Sequence, residues 1–361
     1  YFARNTGEAR IDYAFTRQNW HDAVVEEHIA TRRDTTIFDI SSFAKLMVEG
    51  RDAFAVLNRI CAANLDHPVG SSVYTGMLNA RGGYESDLTV FRLGRERFMV
   101  VTGSAQPVHD ADWIRKNTPE GAHVWVSDVT NAWSVLAVMG PKAPALLQSL
   151  TRADLSAEAF PFANVREIDL GYATVLANRM SYVGEAGFEL FVPVEFTLGV
   201  YEALHGGGHG AGGLRDAGYY ALDSLRIEKG FRAWGRELTP DLTPFEAGLG
   251  FAVDFTKPGG FVGREALLGL RGQPLRQRIV QISVEAPEAT LWGGELLLRD
   301  GRAVGKVMSA GFGASLGKPV TLCRIEEPEG AIDAGYLAAG RFEIDLAGER
   351  LPATWHAKPP V

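Results

Sequence analysis

The chain has 361 residues, of which 46% are hydrophobic, and it carries a formal net charge of −8. This length allows two or three domains with ample core, and the mean hydropathy of −0.04 is typical of a globular protein. The acidic balance argues against a surface for nucleic acid or anionic membrane, because both need clustered lysine and arginine. No apolar run approaches the roughly 20 residues of a membrane-spanning helix.

Cysteine and histidine usage bears on compartment and metal binding. Cys61 and Cys323 could pair, but two cysteines in a chain of this size favour a reduced, intracellular protein. We therefore expect the cytoplasm, or the mitochondrial matrix if the source is eukaryotic. The histidines never fall at ligand spacing with cysteines, so no metal site is predicted. Because the chain begins at Tyr1 without methionine, we expect a piece of a longer polypeptide or a trimmed one.

The first part of the chain alternates helices with pairs of strands. Apolar residues at helical spacing predict helices over residues 20–33, 52–60 and 108–116. Between them, short β-branched and aromatic runs bounded by glycine or serine predict strands at 38–40, 45–48, 74–79, 88–92 and 98–102. Sequential antiparallel hairpins interrupted by single helices indicate an α+β fold rather than a parallel sheet.

The middle of the chain repeats this rhythm, and the last part departs from it. Strands are predicted at 123–127, 134–139, 165–169, 172–180 and 188–192, with helices ending near residues 150, 204 and 230. Residues 234–249 form a long irregular connection rich in glycine, proline and acid. After a linker at 269–274, helical signals vanish and short strands recur, which predicts a small β-barrel or sandwich.

Residues 208–213 read Gly-His-Gly-Ala-Gly-Gly and so satisfy the GxGxxG pattern. A dinucleotide-binding fingerprint must follow a strand and open a helix, whereas this stretch follows a predicted helix. We therefore predict a flexible loop here, and we find no motif in the chain that would bind FAD or NAD.

Asp87 is the first candidate site residue. It follows the glycine pair at 82–83 and enters an apolar strand, where aspartate is unusual. One interpretation is an aspartate that caps the turn. The other is a buried carboxylate that orients or deprotonates a nitrogen of a ligand.

Residues 182–189 form the second candidate segment. Gly184 and Gly187 allow a positive φ or the close approach of another group to the backbone. Glu189 then opens a run whose neighbours favour burial, so its carboxylate needs a hydrogen-bonding partner. A hairpin turn with Glu189 at its edge, paired to an arginine, is the alternative to a binding site.

Taken in order, several motifs resemble the aminomethyltransferase family, the folate-binding T-protein of glycine cleavage and its relatives. These are Phe-Asp at 38–39, Gly-Gly-x3-Asp-Leu at 82–88, Tyr-x-Gly-Glu-x-Gly-x-Glu at 182–189, Asp-Ser-Leu-Arg-x-Glu at 223–228 and Met-Ser-Ala-Gly at 308–311. The closer likeness is to the C-terminal, folate-binding half of dimethylglycine and sarcosine dehydrogenases. It is carried by residues 229–235, 243–250 and 261–267.

The resemblance implies a fold and a division into domains. The family fold is an α+β, three-domain cloverleaf, in which two α+β lobes and a C-terminal β-barrel surround tetrahydrofolate. We expect the first lobe to comprise residues 1–39 and 126–217, and the second to comprise 40–125 and 218–270. The barrel is expected over residues 275–361.

The resemblance also implies site residues. Asp87 matches the family's catalytic aspartate, Glu189 its pterin-anchoring glutamate and Tyr182 the tyrosine seven residues earlier. Tyr74 falls where relatives place another tyrosine of the folate channel. A carboxylate can accept two N–H donors from the pterin edge in a fork, and an aromatic ring can stack on the pterin. A carboxylate near N10 would help that weakly basic nitrogen attack an iminium carbon. Glu185 is assigned to the turn.

One departure narrows the function. Leu222 stands where T-proteins carry an arginine that can meet the glutamate tail of folate, which disfavours a true glycine-cleavage T-protein.

We predict an enzyme, a tetrahydrofolate-dependent one-carbon transferase. It would capture the methylene of an N-methyl amine of the dimethylglycine or sarcosine type as 5,10-methylenetetrahydrofolate. The oxidation needs FAD, which a separate flavin-dependent oxidoreductase domain or subunit would supply. The alternatives are methyl transfer that gives 5-methyltetrahydrofolate, and a non-catalytic folate-binding module.

Overall fold

The computed structural model describes residues 10–14, 16–208 and 213–361. Its strands, in chain order, are β1 Thr35–Asp39, β2 Ala44–Glu49, β3 Ser72–Leu78, β4 Tyr84–Arg92, β5 Arg97–Thr102, β6 Trp125–Asp128, β7 Trp133–Met139, β8 Val165–Leu170, β9 Ala173–Asn178, β10 Gly187–Pro193, β11 Leu214–Asp216, β12 Gln277–Val284, β13 Leu296–Arg299, β14 Arg302–Gly313, β15 Lys318–Glu326, β16 Phe342–Leu346 and β17 Glu349–His356. Its α-helices are α1 His21–Arg33, α2 Ala53–Ile60, α3 Pro107–Lys116, α4 Ala143–Gln148, α5 Thr197–Gly208, α6 Tyr219–Glu228, α7 Pro244–Ala247, α8 Arg264–Leu270 and α9 Ala334–Ala339.

The first sheet has six strands in the order β11-β1-β7-β10-β9-β8. All of its pairs are antiparallel except β1 with β11, which run parallel. Helices α4 and α5 contribute Leu146 and Leu204 to the core on one face of this sheet, where both side chains are buried. Strand β10, which carries Glu189, therefore lies inside the sheet rather than at an edge.

The second sheet has five antiparallel strands in the order β3-β4-β5-β2-β6. Along β4, fully buried residues alternate with partly exposed ones from Tyr84 to Val90. This period of two is that of a strand whose faces have different environments. Asp87 belongs to the partly exposed set, so the strand can carry a carboxylate without placing it in the apolar core of this lobe.

The two sheets meet across a shared apolar cluster. Phe91 of the second sheet packs edge-on against Phe191 of the first, with ring centroids 5.2 Å apart. Phe38, Met99 and Leu225 are buried in the same cluster, so β1, β5 and α6 share it. Burial of large side chains at this junction, worth roughly 1.5–3 kcal/mol each, fixes the two sheets relative to each other.

A buried polar cluster joins the lobes to the barrel. The Glu228 carboxylate at the end of α6 lies 2.9 Å from His28 Nε2 and 3.0 Å from Arg32 Nη2, both on α1. Ser315, between β14 and β15, donates to the same oxygen at 2.9 Å. Burial opposes ionisation of Glu228, but the hydrogen bonds from His28 and Ser315 and the charge of Arg32 outweigh it and lower its pKa to about 2. These contacts hold α6 between α1 and the barrel.

The C-terminal strands close into a barrel in the order β12-β15-β14-β13-β16-β17. The predicted α+β class, with two lobes followed by a β-barrel, is confirmed by this architecture. The prediction that helices are absent after residue 276 is wrong, because α9 lies between β15 and β16. An N-cap starts this short helix: the Asp333 side chain accepts a hydrogen bond from the backbone N–H of Tyr336.

Two other predictions are corrected or fall outside the described residues. The connection at 234–249 is not wholly irregular, because Thr243 and Glu246 form a capping box that starts α7. Helix α5 extends to Gly208, and residues 209–212 of the GxGxxG stretch lie outside the described residues.

Cys61 and Cys323 are both buried and unpaired. No helix in the described part of the chain is long and apolar enough to cross a membrane. The exact lobe boundaries stay a prediction.

Candidate functional site

A cavity of about 370 Å³ lies between the two sheets, α6 and the loop that follows it. All four residues singled out from the sequence, Tyr74, Asp87, Tyr182 and Glu189, line it. They come from β3, β4, the β9–β10 connection and β10, so the fold brings together residues up to 115 positions apart. Most of the remaining wall is apolar and includes Ile40, Phe43, Val135, Met139, Phe191 and Leu222. An apolar cavity with a few polar groups is the usual form of a small-molecule site.

Asp87 and Tyr74 form a hydrogen-bonded pair on the cavity wall. Tyr74 Oη donates to Asp87 Oδ2 at 3.0 Å. The strand register explains the pair, because Asp87 lies opposite Gly76 in β3, two residues from Tyr74, and so on the same face of the sheet. Burial raises the pKa of Asp87 to about 6, although the hydrogen bond from Tyr74 opposes this shift. A carboxyl group with this pKa can exchange a proton near neutral pH.

Glu189 reaches the cavity from β10 of the other sheet. Asn178 lies directly opposite in β9, and its Nδ2 donates to Glu189 Oε2 at 2.9 Å. The partner of Glu189 is thus an asparagine and not the arginine of the hairpin alternative. Glu185 in the preceding turn is the glutamate that meets an arginine, at 3.1 Å from Arg32 Nη1. Without a cation at this position, burial raises the pKa of Glu189 to about 7.

Beside Glu189, two hydrogen-bond acceptors lack donors, and one of them faces the cavity. Asn178 is fully buried, and its Oδ1 has no partner among the described residues. Glu189 Oε1 likewise accepts no hydrogen bond from the described part of the chain. Asn178 does not line the cavity, so Glu189 Oε1 is the acceptor that a ligand with N–H donors can reach there. Sequence reasoning missed Asn178, because only the cross-strand register places it beside Glu189.

Tyr182 is held in place by two contacts. Its Oη donates to the backbone carbonyl of Arg232 at 2.5 Å, and its ring stacks on Phe231 with centroids 5.7 Å apart. Phe231 therefore covers one face of the ring, so an aromatic ligand would pack against the rest of it. Both Phe231 and Arg232 lie in the loop after α6, which links this loop to the cavity wall.

Helix α6 supplies the wall at the other side of the cavity. Leu222 is buried and contributes an apolar surface, whereas Asp223 and Arg226 contribute charges that are paired with each other at 2.7 Å. Arg226 also donates to Glu237 at 3.0 Å and to Ser309 of the barrel at 2.8 Å. These contacts make Arg226 an anchor that ties α6 to the following loop and to the barrel. Arg232, the other arginine of the wall, was not singled out from the sequence.

Burial of Glu189 should cost the protein stability at alkaline pH. A carboxyl pKa raised from 4.5 to about 7 means that the folded state binds the proton more tightly than the unfolded state. Stability therefore falls as the pH rises from about 4.5 to about 7 and stays lower above that range. We expect Glu189→Gln to be more stable than the original chain by about 1 to 3 kcal/mol at pH 8, with the difference shrinking at pH 5. Urea denaturation at both pH values measures this, and a variant that is less stable at both would contradict it.

Two family models together cover most of the chain. Residues 2–257 match the GCVT N-terminal domain, and residues 277–361 match the glycine cleavage T-protein C-terminal barrel domain. The chain is 34% identical over 335 residues to an aminomethyltransferase from Caldanaerobacter subterraneus subsp. tengcongensis, covering 92% of this chain and 86% of that protein. The crystal structure of the glycine cleavage system aminomethyltransferase T from Bartonella henselae superposes with a TM-score of 0.82 at 27% identity. That match covers 98% of this chain and 94% of the other.

The chain therefore belongs to the aminomethyltransferase family, that of the glycine cleavage T-protein. The expected family fold is confirmed by the superposition. The proteins from Caldanaerobacter subterraneus and Bartonella henselae, which this chain matches over most of their length, are both named aminomethyltransferases.

Longer relatives are similar over almost the whole of this chain. The chain is 38% identical over 348 residues to the 4-methylaminobutanoate oxidase (formaldehyde-forming) of Paenarthrobacter nicotinovorans, covering 96% of this chain and 41% of that protein. It is 34% identical over 349 residues to mitochondrial dimethylglycine dehydrogenase of Mus musculus, covering 96% of this chain and 39% of that protein. The chain thus spans about two fifths of the length of these relatives.

Proposed function

We propose that this chain is a tetrahydrofolate-dependent transferase that captures the methylene carbon of an oxidised N-methyl amine and yields 5,10-methylenetetrahydrofolate. The observation that carries the proposal is the pair of carboxyl groups, Asp87 and Glu189, which face one apolar cavity from different sheets. Burial raises the pKa of both, to about 6 and about 7. Perturbed carboxyl groups in a cavity are typical of sites that bind or move protons.

The Glu189 carboxylate suits the pyrimidinone edge of a pterin. That edge presents N–H donors side by side, and Glu189 lines the cavity with its Oε1 free of any hydrogen bond from the described part of the chain. A carboxylate that accepts two N–H groups in a fork both holds and orients the ring. Tyr182, fixed by Phe231 and by the Arg232 carbonyl, would pack against the flat ring. Glu189 would thus bind the ring, and Tyr182 would position it.

Asp87 would act on the reacting nitrogen. When bound, tetrahydrofolate supplies the nucleophilic nitrogens N5 and N10. As N5 and N10 bond to the electrophilic carbon, the bond from this carbon to the amine nitrogen would break, and the demethylated amine would leave with the protons that N5 and N10 lose. Asp87 would accept the N10 proton before it reaches the leaving amine, and its pKa of about 6 suits that role near neutral pH. Tyr74 keeps the Asp87 carboxylate oriented through its 3.0 Å hydrogen bond. Holding the two reactants together in the cavity would supply the rest of the rate increase.

The electrophilic carbon would come from oxidation of the amine elsewhere. The similarity to an oxidase and to a dehydrogenase of N-methyl compounds supports an N-methyl amine as the carbon source. An FAD-dependent domain or subunit would perform the oxidation, since the sequence contains no recognisable flavin motif. The dimethylglycine or sarcosine type is one proposed substrate class, and a 4-methylamino acid is another.

Product analysis tests the proposed reaction. The chain would be incubated with tetrahydrofolate, a ¹³C-methyl amine such as sarcosine, and a flavin amine oxidase that generates the oxidised amine. We expect ¹³C NMR to show the label in a methylene group bridging N5 and N10, faster than in a control without the chain. Label in a methyl group on N5 would support methyl transfer instead. No acceleration by the chain, despite folate binding, would favour a non-catalytic folate-binding module.

A further inference from the structure

The cavity is lined by more acidic than basic side chains. Asp87, Glu189 and Asp223 line it, together with two arginines, Arg226 and Arg232. An anionic ligand would be repelled by this wall unless one of the arginines can pair with it. The partners of the two guanidinium groups show which arginine is available.

Arg226 is fully engaged by the protein. Its Nε donates to Asp223 at 2.7 Å, its Nη1 to Glu237 and to the carbonyl of Phe231 at 3.0 Å, and its Nη2 to Ser309 at 2.8 Å. The side chain is only 1% exposed. Its charge and its hydrogen-bonding directions are therefore used to hold α6, the following loop and the barrel together.

Arg232 is bound only through backbone carbonyls. Its Nε donates to Ala247 O at 3.0 Å and its Nη1 to Gly230 O. Nη2 makes no hydrogen bond within the described ranges. This atom is not fully buried, so a ligand can still reach it. No carboxylate in the described part of the chain forms an ion pair with Arg232. Glu237, whose charge acts on it, is held by Arg226 and by the backbone N–H of Ala233.

The backbone position of Arg232 is fixed beside the proposed pterin site. Its carbonyl accepts the hydrogen bond from Tyr182 Oη, and its side chain is anchored at the far end by the two carbonyls. A guanidinium group oriented in advance loses little freedom when it binds an anion. Burial lowers the pKa of Arg232 and outweighs the charge of Glu237, which acts in the opposite direction.

We propose that Arg232 binds a carboxylate of the ligand in this cavity. The inference rests on the proposed function and deepens it, because it assigns a specificity-determining residue. A guanidinium group is the usual partner of a carboxylate, since it offers several N–H donors in a planar fork. Two ligands of the proposed reaction carry a carboxylate: the glutamate tail of tetrahydrofolate, and an amino-acid substrate such as sarcosine.

Binding measurements on two variants test the assignment. Arg232→Gln removes the charge, and Arg232→Lys keeps the charge but not the fork. Calorimetry would use tetrahydrofolate and 6-methyltetrahydropterin, which has the same pterin ring but no glutamate tail. If the tail is the partner, Arg232→Gln weakens tetrahydrofolate by about tenfold or more and the pterin by less than about twofold, with Arg232→Lys between. Arg81→Gln is the matched control, because Arg81 is exposed and pairs only loosely with Asp241, at 3.6 Å.

A second set of measurements tests whether Arg232 binds the carboxylate of the amine substrate. If the substrate is the partner, Arg232→Gln leaves tetrahydrofolate binding unchanged but raises about tenfold the KM for the oxidised amine that a flavin amine oxidase generates from sarcosine. The KM for the oxidised amine generated from dimethylamine, which has no carboxylate, stays unchanged. Equal weakening of tetrahydrofolate and the tail-less pterin would show that Arg232 only supports the loop, and would overturn the proposal. No change with any ligand would also overturn it. Failure of the unmodified chain to bind tetrahydrofolate would refute the proposed function itself, which is a distinct result.

Discussion

Replacing Asp87 by asparagine should lower the rate of methylene transfer by about 10²- to 10⁴-fold, while tetrahydrofolate still binds with nearly unchanged affinity. Asparagine has the shape of aspartate and can still accept the hydrogen bond from Tyr74, so the cavity should keep its form. It cannot take up a proton from a reacting nitrogen. The measurement is the initial rate of 5,10-methylenetetrahydrofolate formation, alongside calorimetric titration with tetrahydrofolate.

The pH dependence of the transfer rate in the original chain is a second test of the role of Asp87. If the ionised form of Asp87 is required, the transfer rate should rise with pH through about 6. Tyr74→Phe removes a hydrogen bond that lowers the pKa of Asp87, so this variant should stay active with its midpoint shifted to higher pH. Transfer that continues at the original rate in Asp87→Asn would refute the assigned role. A variant that loses folate binding and transfer together would make Asp87 a binding residue.

Replacing Glu189 by glutamine should weaken tetrahydrofolate binding by about tenfold to a hundredfold. Hydrogen bonds to a charged group contribute about 1.5–3 kcal/mol, and glutamine can no longer accept two N–H donors in a fork. Asn178 Nδ2 can still donate to the glutamine oxygen, so the cross-strand contact survives. Since the carboxylate is the form that binds, the affinity of the original chain should rise with pH through about 7, while that of Glu189→Gln should not.

Glu185→Gln is the matched control for this experiment. Glu185 lies four residues earlier, in the same segment, but pairs with Arg32 and does not line the cavity. Its replacement should leave tetrahydrofolate affinity within about twofold. If both variants weaken binding equally, the effect belongs to the fold of the 182–189 segment and not to a contact between Glu189 and the ligand.

Local sequence patterns indicated the class of fold and singled out Asp87 and Glu189, whereas Tyr182 and Tyr74 were assigned through the resemblance to the aminomethyltransferase family; all four line the cavity. Asp87 stood out because aspartate is unusual inside a strand, and the structure shows why it is tolerated there: it faces the cavity and is bonded to Tyr74. Glu189 stood out because a carboxylate enters an apolar run, and its strand indeed lies inside a sheet. In each case a residue that violates the local pattern marked the place where the chain faces a cavity.

The parts that the sequence did not predict depend on contacts between distant segments. Strand β11 is three residues long and pairs in parallel with β1, about 180 positions earlier, so no local signal announces it. Helix α9 is six residues long, too short for a helical period to be recognised. Asn178 and Arg232 look ordinary in the sequence. Their roles follow from the register of β9 with β10 and from the lack of an ion pair to Arg232 in the described part of the chain.

The central claim is that a folate binds in the cavity between the two sheets and is held by Glu189. Calorimetric titration at pH 8 of the original chain, Glu189→Gln and Glu185→Gln with tetrahydrofolate tests it most directly. The account predicts saturable one-to-one binding to the original chain and to Glu185→Gln, and binding at least about tenfold weaker to Glu189→Gln. Absence of binding to the original chain, or equal binding to all three proteins, would contradict it.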